Sequence, residues 1–297
     1  MATAGLAQAI IDRQKWMDGI SEAVQPLLRK AFSQTGDAGK LTKDLLNGVW
    51  LGHPLHPVLT DVPIGAWTIS SLFDVMSLAM GDDDNLDRAS DMIVGIGVLA
   101  ACGAAITGIA DWSDTSGSTR RMGMAHALLN VAGLGLNIGS MGLRTGGRRN
   151  RGSARLLSLA GYGASTLAAF IGGELVFNLG QAVSRNAWVR GPKDFKEIGT
   201  PVDLDDGKMH HVQVAGNDIV LVSHDDGLHA FGGTCSHAGC GLWEGELEGH
   251  VVTCQCHGSQ FDITDGTILH GPATAPVPSY DVTRQGDRLR IRAHSEG

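Results

Sequence analysis

Two cysteine–histidine pincers near the end of this 297-residue chain constrain it more than any other feature. From Cys235 the chain reads C-S-H-A-G-C-G-L, and after a gap C-Q-C-H-G-S-Q-F-D, ending at Asp262. Cys235-x-His237 and Cys254-x-x-His257 are separated by sixteen residues. Two thiolates and two imidazoles are able to hold one [2Fe–2S] cluster asymmetrically. The cysteines then take one iron and the histidines the other, which raises the potential far above that of an all-cysteine cluster. The same four donors also make a tetrahedral zinc site.

The stretch closely resembles the Rieske family. The resemblance implies a [2Fe–2S] cluster ligated by Cys235, His237, Cys254 and His257. It implies a disulfide between Cys240 and Cys256, as in Rieske proteins of cytochrome bc complexes, and a Ser259 hydroxyl that hydrogen-bonds a cluster sulfur. These two features favour the cluster over zinc. The likeness extends over residues 197–297 and includes a proline-rich loop from Gly271-Pro272-Ala273 to Pro278, which covers the third side of the cluster in that family. Two positions depart from it. Ala238 stands where quinol-oxidising members have a bulkier apolar residue, and Phe261 where they have a tyrosine that bonds a cysteine sulfur. Hydrogen bonds to the sulfurs tune the potential, so the departure at Phe261 predicts a lower one.

Mean hydropathy is near neutral, at +0.02, but the two halves differ. Residues 64–179 are nearly free of charge over long runs, whereas the segment from Arg190 onward is polar, with 16 Asp/Glu against 8 Lys/Arg. An acidic domain suits a basic docking partner or is an ordinary solvated surface. No stretch is basic and aromatic in the way a nucleic-acid surface requires. Of five cysteines, four belong to the cluster region, and Cys102, within an apolar run, is expected to be a small buried residue. Residues 1–35 are too polar for a cleavable signal peptide.

Residues 1–50 form an amphipathic helical segment. Ile10, Trp16, Met17, Ile20, Val24, Leu27, Leu28 and Phe32 recur at helical spacing over 4–33. The segment suits a membrane surface or packing against its own protein. Residues 53–67 read H-P-L-H-P-V-L-T-D-V-P-I-G-A-W, a stiff, irregular approach set by three prolines. Four apolar runs follow, at Ile64–Met80, Met92–Ala110, Met122–Leu143 and Leu156–Leu179. A bilayer core takes about 20 apolar residues per helix, so residues 51–180 are expected to be a four-span all-α transmembrane bundle, multi-pass in the cell membrane. The first run is the weakest, being short and containing Asp74. Dense glycines suit close packing in lipid.

Four spans put both termini on one side. The other side carries Arg144, Arg148, Arg149, Arg151 and Arg155, which the positive-inside rule makes cytoplasmic. The cluster domain is therefore expected to be extracytoplasmic, where a disulfide persists. Arg148-Arg149 also resembles a twin-arginine export signal.

His53, His56, Asp61, Asp111, Asp114, His126 and Glu174 sort to the end of the bundle on the cluster-domain side. Ionisable groups at membrane depth are costly and mark function. Three readings stay open: axial ligation of a haem b, a quinone pocket, and helix capping. The candidate haem or quinone residues are His53, His56, His126, Asp111 and Glu174. This half resembles a family of uncharacterised bacterial four-helix membrane proteins, through H-P-L-H-P, Asp111-Trp112, His126 and Gly172-Gly173-Glu174-Leu175-Val176. That resemblance implies a fold and no activity.

A linker over 181–196 precedes an all-β antiparallel domain over 197–297. Its strands are expected at 209–215, 218–224, 227–231, 250–253, 259–263, 279–284 and 287–293, between turns such as Asp225-Asp226-Gly227. The expected function is electron transport: a membrane-anchored iron–sulfur protein carrying single electrons between a quinol or haem and a redox partner in a respiratory-type chain. The alternative is electron supply to a membrane-associated oxygenase or other oxidoreductase. The chain itself is not expected to be a Rieske oxygenase. Only forty residues follow His257, with no place for a mononuclear iron domain.

Overall fold

In the computed structural model, residues 4–198, 204, 207–286 and 288–294 are described. Asp287, within the last expected strand, lies outside them. The chain divides into two units, Met1–Ala31 with Leu55–Gln181, and Phe32–Pro54 with Ala182–Gly297. The amphipathic segment 1–50 is shared between them.

The first unit holds α1 (Ala4–Ile11), α2 (Trp16–Ser33, up to Ala31), α4 (Leu55–Ala79), α5 (Asp84–Trp112), α6 (Gly117–Arg144) and α7 (Arg151–Gly173). The single helix expected over 4–33 is broken at 12–15. There Asp12 accepts a hydrogen bond from Ser118 and pairs with Arg121. Asp18 pairs with Arg120 and Arg121, so α2 is tied by charge to the start of α6. The approach expected to be irregular at 53–67 is helical from Leu55. Pro57 sits in the first turn of α4, where its missing N–H has no intrahelical use, and Pro63 is accommodated inside the helix. Asp83 caps α5 by accepting from the N–H groups of Asn85 and Leu86.

These helices are built with small and polar side chains inward and large apolar ones outward. Ser70, Asp74 and Ser77 on α4, Ser90, Gly97 and Ala104 on α5, Asn137 and Ser140 on α6, and Ser158, Gly161 and Ser165 on α7 are buried. Met92, Ile96, Leu99, Ile106, Leu156, Leu167 and Phe170 are exposed. Water would penalise that arrangement, whereas lipid favours it, because helices in lipid associate through small residues and polar contacts. A Cβ on Gly133 would lie 3.0 Å from the Gly161 carbonyl, and one on Gly161 2.9 Å from that of Gly133, so the α6 and α7 backbones nearly touch. Cys102 is exposed rather than buried. The reason is that α5 carries no charged residue from Met92 to Ala110, so the apolarity around Cys102 does not mark an inward face.

Among the described residues, three helical stretches are long and apolar enough to cross a membrane: Leu55–Ala79, Asp84–Trp112 and Arg148–Asn178. The expected third span is helix α6, 28 residues long, but it is not among them. His126, Asn130 and Asn137 interrupt its apolarity.

The second unit holds α3 (Asp37–Asn47) and two antiparallel sheets. The larger has the order β1 (Lys196–Glu197), β10 (Arg288–Ala293), β9 (Ser279–Gln285), β4 (Gly227–Gly232), β3 (Asn217–His224), β2 (His210–Val214). The smaller runs β5 (Glu246–Glu248), β6 (Val251–Thr253), β7 (Gln260–Asp262), β8 (Ile268–His270). The central strand β3 explains the apolar run Ile219-Val220-Leu221-Val222. Val220 and Val222 enter one core with Phe231, Val252 and Phe261, and Ile219 and Leu221 enter another with Tyr280 and Ile291. A strand buried on both faces shows no alternation. The strands β1, β5 and β8 escape sequence reading because two or three residues carry no period.

Candidate metal centre

The two pincers occupy equivalent loops, 233–245 after β4 and 254–259 after β6. Each loop is closed by the same pair of backbone bonds. The N–H of Cys235 donates to the Cys240 carbonyl and that of Cys254 to the Ser259 carbonyl, both at 2.8 Å. The Cys235 carbonyl accepts from Gly239 N–H and the Cys254 carbonyl from Gly258 N–H. Gly239 and Gly258 have φ of +84° and +79°, the left-handed conformation that costs other residues about 1–2 kcal/mol. This internal repeat, a cysteine with a glycine four residues on, is present in the sequence but is obscured by the unequal histidine spacing.

The loops bring the two expected thiols together and the two expected imidazoles together. Cys235 and Cys254 are 1% and 2% exposed and pack in the core with Val252, Phe261 and Val277. The two thiols lie against each other, and this closeness draws the Cys254 thiol down to about 6 and pushes Cys235 well above the usual thiol range. A buried pair of sulfurs suits iron, whose cysteine ligands are thiolates. The His237 and His257 rings meet edge to face, centroids 4.9 Å apart, and both are partly exposed. Cys240 and Cys256 form a disulfide joining the loops, with the Cys254 sulfur within 4.8 Å of both its atoms.

A third loop, 271–278, is fastened to both pincers. Ser259, fully buried, accepts at Oγ from the Ala273 N–H at 3.0 Å. Ser236 donates to the Ala275 carbonyl. The base of this loop is fixed by Asp44 on α3, which accepts from His270 Nδ1 at 2.6 Å and from Gly271 N–H at 2.8 Å. Sequence reasoning missed Ser236 and Asp44. Nothing local links a helix residue to a loop more than two hundred positions away.

Of the expected haem or quinone residues, the structure brings His56 and His126 together. Their rings meet edge to face, centroids 6.1 Å apart. Each Nδ1 lies 2.8 Å from a backbone carbonyl, His56 from Ala104 and His126 from Ala168. A carbonyl only accepts, so both Nδ1 atoms carry the proton and both Nε2 atoms carry the lone pair. Asn130 donates to His126 Nε2 at 3.1 Å. Glu174 is buried and bonds Asn178 within the π-helical turn Glu174–Asn178. Asp111 ends α5 beside Trp112, whose Nε1 donates to the Arg120 carbonyl. His53 is exposed and belongs to the second unit.

At the other end of the helical unit a polar network stands where the sequence showed only an isolated Asp74 and a run of arginines. Arg144 donates to both oxygens of Asp74, at 3.1 and 2.5 Å, and to Asp91 at 2.7 Å. Arg151 joins Asp91, and Arg155 joins Asp82 and Asp87.

Loops, donors and disulfide define a Rieske-type iron–sulfur domain. Residues 194–281 match the Rieske [2Fe-2S] domain family, and residues 52–185 match the family described as predicted membrane protein (DUF2231). The chain therefore belongs to the Rieske family, binds a [2Fe–2S] cluster, and carries a DUF2231 membrane-protein domain ahead of it. It is 34% identical over 99 residues to the ferredoxin component of the alkene monooxygenase system of Xanthobacter autotrophicus, covering 33% of this chain and 80% of that protein. It is 28% identical over 89 residues to the ferredoxin component of the naphthalene 1,2-dioxygenase system of Pseudomonas aeruginosa, covering 30% and 86%. The ferredoxin of carbazole 1,9a-dioxygenase from Nocardioides aromaticivorans is a similar solved structure, with a TM-score of 0.31 and 26% identity, covering 33% of this chain and 97% of that one. Electron transfer is the chemistry common to such domains, and it is the function of this one.

Proposed function

We propose that the chain is a membrane-anchored Rieske protein that passes single electrons between a donor in the membrane and a separate redox partner. Cys235 and Cys254 hold one iron and His237 and His257 the other. The cluster supplies a one-electron couple. One observation carries the reading: the thiols are 1% and 2% exposed, while the two imidazoles reach the surface together. A partner therefore comes nearest the cluster at the histidine edge.

The favoured donor is a quinol or haem bound by the membrane domain, as in a respiratory-type chain. The fixed tautomer of His56 supports it, because a lone pair at Nε2 is what a haem iron or a quinol hydroxyl would take, whereas that of His126 already accepts from Asn130. The alternative, electron supply to an oxygenase, is supported by the likeness to ferredoxin components of oxygenase systems. In this reading α4 to α7 cross the membrane and the cluster domain is extracytoplasmic. The arginine-rich connector and the Cys240–Cys256 disulfide support that orientation. Alkaline phosphatase fused at the C-terminus is expected to be active, and a fluorescent protein folded there in the cytoplasm would count against it.

A redox titration of the detergent-solubilised protein, with a pyridine haemochrome assay, separates the donors. Rieske potentials span about −150 to +300 mV. A midpoint in the upper half, or a b-type haem lost in His126→Ala, supports the respiratory reading. A midpoint at the bottom with no haem supports oxygenase supply.

Ser259 and Phe261 are proposed to tune the midpoint. The Ser259 Oγ accepts from Ala273, which leaves its own proton to donate to sulfur. A hydrogen bond worth about 1.5 kcal/mol more to the reduced sulfur than to the oxidised one corresponds to about 60 mV in a one-electron couple. Ser259→Ala is expected to lower the midpoint by about that much, and Phe261→Tyr to raise it similarly. Unmoved midpoints in both variants would dismiss this account of tuning.

A further inference from the structure

A second group of metal-binding side chains lies in the cluster domain, apart from the pincers. The turn Asp225-Asp226-Gly227 joins β3 to β4, with His224 ending β3 and His229 on β4. His250 follows Gly249, whose φ of +55° makes the turn between β5 and β6. The group thus draws on both sheets. One oxygen of Asp226 is its centre: Oδ1 lies 2.9 Å from His229 Nε2, 3.0 Å from His250 Nε2 and 3.4 Å from His224 Nδ1.

The His229 contact is a well-formed hydrogen bond, whereas those of His250 and His224 are charge contacts of poorer geometry. His224 Nδ1 and His250 Nε2 are buried atoms that meet no hydrogen-bond partner among the described residues, although the carboxylate is so near. Buried nitrogens in that condition call for an explanation, and an ion is one. The donor atoms of His224, Asp226 and His250 all lie within 4.8 Å of one another. Bonds of about 2.05 Å in a tetrahedron put ligand atoms about 3.3 Å apart, and His250 and His224 stand 3.0 and 3.4 Å from the Asp226 oxygen. Imidazole with carboxylate suits zinc(II) and its first-row neighbours rather than magnesium or calcium, which take oxygen ligands.

We propose that His224, Asp226 and His250 bind one divalent transition-metal ion, with His229 hydrogen-bonding the Asp226 carboxylate to orient it. The fourth position falls to water, since Asp226 and His250 are partly exposed. The ion pins the β3–β4 hairpin of the larger sheet to the β5–β6 turn of the smaller. His250 leads through β6 to Cys254, about 13 Å along an extended strand, so the site braces one cluster loop from its far end.

The test uses the full-length holoprotein in detergent, dialysed against zinc(II) and then metal-free buffer, with zinc and iron measured together. The wild type is expected to retain one zinc per chain at unchanged iron content and to melt at a higher temperature than the zinc-stripped protein. His224→Gln/His250→Gln is expected to lose the zinc and keep the Rieske visible spectrum, which reports an intact fold. Asp226→Asn, which leaves every ring in place, is expected to lose it too. His229→Gln is expected to bind about 10- to 100-fold more weakly, as loss of an orienting partner does. His211→Gln, on β2, is the unaffected control. Zinc no higher in the wild type than in the double variant, or zinc gained only as iron is lost, overturns the proposal and leaves a hydrogen-bonded imidazole–carboxylate cluster.

Discussion

Cys254→Ser is expected to yield a protein without the [2Fe–2S] spectrum, and Cys235→Ser likewise, whereas Cys240→Ser and Cys256→Ser keep it. All four sulfurs lie in two loops of the same design, so exposure and bonding rather than position separate their roles. The Cys235 and Cys254 sulfurs are buried and lie beside each other. Those of Cys240 and Cys256 are spent in the disulfide. A serine at 235 or 254 replaces a thiolate by a hydroxyl that does not ionise near neutral pH, and iron loses a ligand for which no neighbour substitutes. A serine at 240 or 256 removes the covalent tie between the loops. Closing a loop of 16 residues is worth about 3 kcal/mol, so these variants should melt earlier and shed iron faster on heating. Visible spectra, iron content and thermal melts of the four purified variants check the prediction. A cluster of full occupancy in Cys254→Ser would sink the ligand assignment.

Asp74→Ala is expected to be the most damaging single change in the helical unit, at up to about 3–5 kcal/mol, because it breaks a buried ion pair and leaves Arg144 only the more exposed Asp91. Asp74 and Arg144 are 1% and 3% exposed in their side chains, and Arg144 meets both carboxylate oxygens. Ser90 donates to Asp74 at 2.8 Å, and Arg144 Nε donates to Ser140, so the pair links α4, α5 and α6 in one network. The double variant Asp74→Leu/Arg144→Met should recover most of the loss, because two apolar groups of similar volume strand no charge. Melting of the wild type, both single variants and the double variant in one detergent gives the coupling directly. Additive effects would mean that the pair is not the source of the loss.

This network bears on how the sequence is read. Asp74 made the first apolar run look like the weakest span, yet Leu55–Ala79 is 25 residues long and meets the length and apolarity of a span. Its acid is compensated by an arginine seventy residues on, and no window of sequence contains both. The helix α6 is long enough for a span at 28 residues, but His126, Asn130 and Asn137 leave it less apolar than its neighbours. The prolines at 57 and 63 suggested irregular chain. Pro57 falls where a helix has no use for its N–H, which composition does not reveal.

By itself the sequence determined what depends on near neighbours: the donor spacing of the pincers, the antiparallel β character after Arg190, and the apolar helices before it. Each rests on periodicity or on a few adjacent residues, and local sterics and hydrogen bonding fix those without reference to the rest of the chain. Only the tertiary structure decided which distant groups meet. His56 faces His126, Asp44 fastens the loop at His270, Arg144 neutralises Asp74, and His250 joins His224 and Asp226. Such meetings depend on helix rotation, strand register and the hand of each turn. A shift of one residue in any of them points a side chain elsewhere, so they arise from packing as a whole and leave no signature at a fixed spacing.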